Sequence, residues 1–173
     1  MSKIALKKHL QSLTKEQLIE TTLDMYDNLK PVKEYFEFFM NPNENEMFEK
    51  YKSVIVNEFY PKGKYTDPKT RFSVAKKAIA DFRVLKPSPE LLGNLMLTLP
   101  EMACMFTRDY GDMWEQYYDS AYNNFKNALL YLQKNNLLEN FKLRCEDCVK
   151  YASNCGYGFA DDMADLYYQY YNE

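Results

Sequence analysis

Apolar residues recur with a period near 3.6 along almost the whole chain, and no stretch alternates as a β-strand would. The pattern predicts eight substantial helices and a short one near residues 2–11. Short connections favour sequential helices as antiparallel neighbours. From residue 44 onward, helix pairs recur at about 45 residues, the size of HEAT-like hairpins. The sequence therefore predicts an all-α fold: an array of about eight antiparallel helices in a helical-hairpin (HEAT/TPR-like) arrangement. A closed helical bundle is the alternative.

Proline positions refine the predicted helix boundaries. Asp67-Pro68 and Ser88-Pro89 each place a capping residue before a proline, which is typical of a helix start. Pro100 falls inside a strongly apolar helical stretch, where a proline removes a backbone hydrogen bond. We therefore expect helices to begin near residues 68 and 89, and a kink or a split at Pro100.

Length and composition indicate one folded domain spanning residues 1–173. Hydrophobic residues make up 46 % and charged residues 27 %, as in ordinary globular proteins. No run of eighteen apolar residues is present, so no transmembrane helix is predicted. The opening MSKIALKKHL lacks the apolar core of a signal peptide, and a cytoplasmic location is expected.

Charge is unevenly distributed although the net charge is only −3. Residues 60–100 carry eight Lys and Arg against three Asp and Glu, whereas residues 101–173 carry six against twelve. Basic residues interleaved with aromatics can bind phosphate backbones. Polyanion or nucleic-acid binding is therefore an alternative function, beside the plainer interpretation of a solvated face. The candidate residues are Lys62, Lys64, Lys69, Arg71, Lys76 and Lys77.

Chemistry that requires histidine or clustered thiols is not supported. His9 is the only histidine, and Cys145-x-x-Cys148 is a single pair where a structural zinc site needs four ligands. With Phe141 and Ala152, the two cysteines fall at helical spacing on one face, which is typical of core packing. We predict no metal, no cofactor and no catalytic residue.

Aromatic residues are abundant, with 16 Tyr and 11 Phe. Tyr157, Tyr168 and Tyr171 fall off the predicted inner stripe of the last helix, and tyrosine is common at interfaces. The favoured hypothesis is a non-enzymatic helical scaffold or adaptor that binds a protein or peptide through such a surface. A small enzyme that uses carboxylates without histidine is a further alternative. The sequence does not indicate an oligomeric state.

Several segments together resemble an uncharacterised family of small bacterial all-helical proteins, catalogued as a domain of unknown function. The resemblance spans the whole chain, implies a single-domain bacterial protein and assigns no catalytic or binding residue. The segments are SKIALKKHLQSLTKEQL at 2–18, EYFEFFMNPNE at 34–44, RFSVAKKAI at 71–79, PSPELL at 87–92 and GYGFADDM at 156–163.

Overall fold

The computed structural model describes residues 2–41, 43–63 and 65–171. Over these residues it contains nine α-helices and no strand, which confirms the predicted all-α fold. None of the helices in these ranges combines the length and apolar character that crossing a membrane requires. The helices are α1 (Lys3–Ser12), α2 (Lys15–Asn28), α3 (Lys30–Met40), α4 (Glu44–Phe59), α5 (Phe72–Val84), α6 (Pro89–Tyr110), α7 (Glu115–Lys134), α8 (Leu138–Ala152) and α9 (Phe159–Tyr171).

The chain divides into two compact units, an N-terminal unit (residues 1–43) and a C-terminal unit (residues 44–173). In the N-terminal unit, Thr14 and Gln17 form a capping box at the start of α2, with N···O distances of 2.9 and 3.2 Å. Helices α2 and α3 pack on each other, yet no described side chain of α1, α2 or α3 is buried. Leu23 is 58 % exposed and Phe39 is 69 % exposed.

In the C-terminal unit each helix packs mainly on the next helix in sequence or on the one after it. This pattern is consistent with the predicted array. Helix α6 lies centrally, against α4, α5, α7 and α8, and Leu95, Leu97 and Leu99 are fully buried along it. The helix runs unbroken through Pro100, so the chain is not split there.

The predicted helix start at Asp67-Pro68 is wrong, whereas Ser88 does precede a helix that begins with Pro89. Helix α5 begins only at Phe72, because the preceding segment is held against the end of α4. The backbone N–H groups of residues 69 and 70 both donate to the Glu58 carbonyl oxygen, at 3.0 and 2.8 Å.

The Glu58 side chain completes this attachment. Its carboxylate is buried and accepts hydrogen bonds from Arg71 N, Nε and Nη2 at 3.2, 2.9 and 2.7 Å. These bonds hold the pKa of Glu58 below its usual value. Thr70 has a φ of 49°, which a continuous helix does not allow. A long-range carboxylate has therefore overridden a local helix-start signal.

Candidate functional site: an aromatic and acidic groove

The cysteines lie in the core, as the helical spacing predicts. Cys145 and Cys148 are fully buried on α8. Burial raises the pKa of both thiols, that of Cys145 to about 11, so they are protonated at neutral pH. Across the described ranges, no three His, Cys, Asp or Glu side chains are grouped so as to hold a metal ion.

Two members of the basic stretch are engaged in ion pairs. The Arg71 guanidinium binds Glu58, and Lys77 Nζ binds both carboxylate oxygens of Asp81 at 2.7 and 2.9 Å. Lys64 lies outside the described residues. These pairs neutralise two of the five described members of the stretch.

The other three members of the stretch are exposed but do not share one element. Lys62 and Lys69 lie in the connection between α4 and α5, and Lys76 lies on α5, where it lines a groove described below.

The three candidate tyrosines in and just before the last helix also occupy different surroundings. Tyr157 is 67 % exposed and lies just before α9, whereas Tyr168 and Tyr171 lie about 14 Å or more along its axis. The Tyr171 hydroxyl donates to the Leu138 carbonyl oxygen at 2.9 Å, and its ring stacks on Tyr167. Tyr171 therefore joins α9 to α8, whereas Tyr157 lines a concave site.

That site is a groove of about 450 Å³ between the first turns of α7 and α9, here called the acidic groove. On α7, Glu115, Asp119 and Tyr122 face it at i, i+4 and i+7, which is one side of a helix. Asp162 faces it from the first turn of α9. The remaining lining residues are Tyr118, Asn123, Tyr157 and Phe159.

A hydrogen-bonded cluster fixes one wall of the acidic groove. The Tyr118 hydroxyl donates to the Asp112 carboxylate, which also accepts from Gly156 N at 3.1 Å. The bond from Tyr118 is the main reason that the pKa of Asp112 is lowered. The Tyr118 ring stacks on Phe159 with centroids 4.5 Å apart. These contacts join the start of α7 to the turn before α9.

The turn Gly156-Tyr157-Gly158 presents an aromatic ring to solvent. A Cβ on Gly156 would lie 2.9 Å from an Asp112 carboxylate oxygen, so any larger residue would displace that carboxylate. Gly158 has a φ of 75°, and Tyr157 has a φ of 57°, which costs a non-glycine residue about 1–2 kcal/mol. Backbone strain of this kind concentrates at functional sites.

Among the described residues, all the charged side chains that line the acidic groove are carboxylates. Glu115, Asp119 and Asp162 are exposed, and none of them forms an ion pair with another described residue. The Tyr157 ring lies beside them, with its centroid 6.1 Å from that of Tyr118. Carboxylates and exposed aromatic rings both attract cations. The arrangement therefore suits Lys or Arg side chains.

The sequence pointed to Tyr157 but not to its neighbours in the acidic groove. Two signals were available: the excess of acidic residues after position 100, and the i, i+4, i+7 spacing of Glu115, Asp119 and Tyr122. Neither signal reveals that α7 and α9 begin side by side.

No curated protein and no solved structure matches the chain. One family profile, described as a family of unknown function (DUF6155), matches residues 1–164, which is nearly all of the chain. This match agrees with the resemblance drawn from its sequence segments. The chain belongs to the DUF6155 family of unknown function.

Proposed function

We propose that the protein is a non-enzymatic helical adaptor whose acidic groove binds a basic segment of a protein partner. The observation that carries the proposal is Tyr157, held exposed by a left-handed turn beside three carboxylates that have no cationic partner among the described residues. A cytoplasmic location and a bacterial origin belong to the same proposal.

The dimensions and charge of the acidic groove support this occupant. Its volume of about 450 Å³ lies within the range of ligand pockets, roughly 300–1,000 Å³. A cation over an exposed aromatic ring contributes about 0.5–1 kcal/mol to the binding free energy. The exposed carboxylates increase the rate at which a basic segment associates more than they increase its affinity. We therefore expect weak binding that is sensitive to salt.

The two alternative functions have less support. Polyanion binding through the basic stretch is weakened because Glu58 and Asp81 already neutralise Arg71 and Lys77. An enzyme that uses carboxylates would need an acidic group with a perturbed environment in a cavity. The carboxylates of the acidic groove are instead exposed to solvent.

The test is the affinity of the full chain for a fluorescein-labelled Arg-Gly repeat peptide, measured by fluorescence anisotropy at low salt. Asp162→Asn removes a groove carboxylate, and Asp161→Asn is the matched control, since its neighbouring carboxylate does not line the groove. We expect Asp162→Asn to weaken binding several-fold and the control to change nothing. Equal losses, or equally tight binding of a Glu-Gly peptide, would refute the proposal.

Tyr157→Gly tests the aromatic part separately. It removes the ring and also the strain of a positive φ, so the free energy of unfolding should not fall. Peptide affinity should fall about 2–5-fold, the equivalent of one exposed cation–π contact. Unchanged affinity would show that the ring is not part of the binding site.

A further inference from the structure

A second groove lies between α5 and α7 and has Met96 of α6 as its floor. Its volume is about 620 Å³, and we call it the cationic groove. Lys76 and Arg83 line it from α5, and Asn124, Asn127 and Tyr131 line it from α7. It involves none of the residues that line the acidic groove.

The two cations of the cationic groove have no acidic partner among the described residues. Lys76 and Arg83 are seven residues apart on one face of α5, about 10 Å along its axis, so their long side chains can converge. Neither forms an ion pair with another described residue, whereas the adjacent Lys77 is bound to Asp81. Arg83 Nη2 instead lies 3.3 Å from Met96 Sδ, a weak acceptor.

The α7 side offers neutral hydrogen-bonding groups. Asn124 Nδ2 donates to the Ser120 carbonyl oxygen at 2.7 Å, which leaves its Oδ1 available as an acceptor. The Asn127 amide and the Tyr131 hydroxyl make no hydrogen bond within the described residues. Burial raises the pKa of Tyr131, so its hydroxyl is a donor at neutral pH.

The remaining surface of the cationic groove is apolar. Ile79 and Met96 are buried beneath it, and Ala80 adds a small side chain. Gly93 lets α7 approach α6 here, because a Cβ at that position would lie 2.7 Å from Leu132 Cδ2. The groove thus combines two cations along its α5 wall, a row of neutral polar groups along α7 and an apolar floor.

We propose that the cationic groove binds a small phosphate ester with a planar, hydrogen-bonding body, the chemistry of a nucleoside monophosphate. Two cations match the charge of a phosphate monoester, which approaches −2 at neutral pH. Asparagine side chains match the paired donor and acceptor groups of a base edge. A nucleic-acid strand fits less well, because the neighbouring cations Arg71 and Lys77 are already paired. This inference is independent of the proposed function.

The test is isothermal titration of the full chain with AMP, GMP, CMP, UMP and inorganic phosphate at fixed ionic strength. We expect at least one mononucleotide to bind, and inorganic phosphate to bind about tenfold or more weakly, since it lacks the planar body. Failure of all four mononucleotides to bind at 1 mM, or inorganic phosphate binding as tightly as any of them, would overturn the proposal.

Matched variants locate the site. Lys76→Gln should weaken mononucleotide binding about tenfold, the low end of what a hydrogen bond to a charged group contributes, while Lys77→Gln should leave it unchanged. Both lysines are exposed, so the fold should tolerate either change. Equal losses in the two variants would refute the assignment. The assignment would also be refuted if a single-stranded oligonucleotide bound more tightly than every mononucleotide and lost as much affinity as they do in Lys76→Gln.

Discussion

Removing Arg144 should destabilise the C-terminal unit, because this residue joins α8 to α6 through an ion pair largely withdrawn from solvent. Its Nε and Nη2 donate to the Glu101 carboxylate at 3.1 and 2.5 Å, and its Nη1 donates to Asn94 Oδ1 at 2.7 Å. The Arg144 and Glu101 side chains are 31 % and 17 % exposed. Breaking a fully buried pair costs about 3–5 kcal/mol. Because the pair is partly exposed, we expect Arg144→Met to lower the free energy of unfolding by about 3 kcal/mol, the lower end of that range.

A double variant separates the charge effect from lost packing. In Arg144→Met with Glu101→Leu, both charges are gone and apolar groups replace them, so much of the lost stability should return. The measurement is urea unfolding of each variant at pH 7, with the m-value as a check on the two-state assumption. The reasoning fails if Arg144→Met costs less than about 0.5 kcal/mol, the ordinary scale of a surface change. It also fails if the double variant is less stable than Arg144→Met alone.

Three further predictions concern other parts of the fold. In urea unfolding, the free energy of unfolding of Glu58→Gln should fall less steeply below about pH 4.5 than that of the unsubstituted protein. Hydrogen bonding to Arg71 lowers the pKa of Glu58 in the folded state. The Glu58 carboxylate therefore stabilises the fold fully at a pH above its unfolded-state pKa, and this stabilisation is lost as the pH falls through its folded-state pKa. An unchanged dependence of stability on pH in Glu58→Gln would contradict this. Gly156→Ala should lower the melting temperature and weaken peptide binding, because its Cβ would displace the Asp112 carboxylate; full retention of both would count against the cluster. Amide hydrogen exchange should be faster in α1, α2 and α3 than in α6, because no described side chain of the first three is buried, and equal protection would refute this.

Local sequence signals predicted most of the helices because the information they need is local. The capping box at Thr14, the proline after Ser88 and the apolar stripe of α7 each act within a few residues. Asp67-Pro68 misled the prediction because Glu58, in the preceding helix, binds the segment through both its carbonyl oxygen and its carboxylate, with Thr70 at a φ of 49°. A tertiary contact of this kind cannot be predicted from the residues that flank the start of α5.

The candidate site was less accessible to sequence reasoning. Helical periodicity placed Tyr157, Tyr168 and Tyr171 off the inner stripe, but it did not indicate which neighbouring helix would cover them. Tyr171 is held by the Leu138 carbonyl oxygen, 33 residues away, whereas Tyr157 stays exposed. The carboxylates beside Tyr157 come mainly from α7, more than thirty residues earlier. Their meeting depends on how the helices pack.

The most direct test of the central claim is an amide NMR titration of the full chain with the Arg-Gly peptide at low salt. Gly156 and Gly158 flank Tyr157 of the acidic groove, while a Cβ on Gly93 would lie 3.7 Å from the Tyr131 ring of the cationic groove, so glycine amides report on each site separately. We predict saturable shifts of the Gly156 and Gly158 resonances, with Gly93 unmoved, and a midpoint at about tenfold higher peptide concentration in the Asp162→Asn, Tyr157→Gly double variant. Shifts centred on Gly93, or an unchanged midpoint at Gly156 and Gly158 in the double variant, would contradict the account.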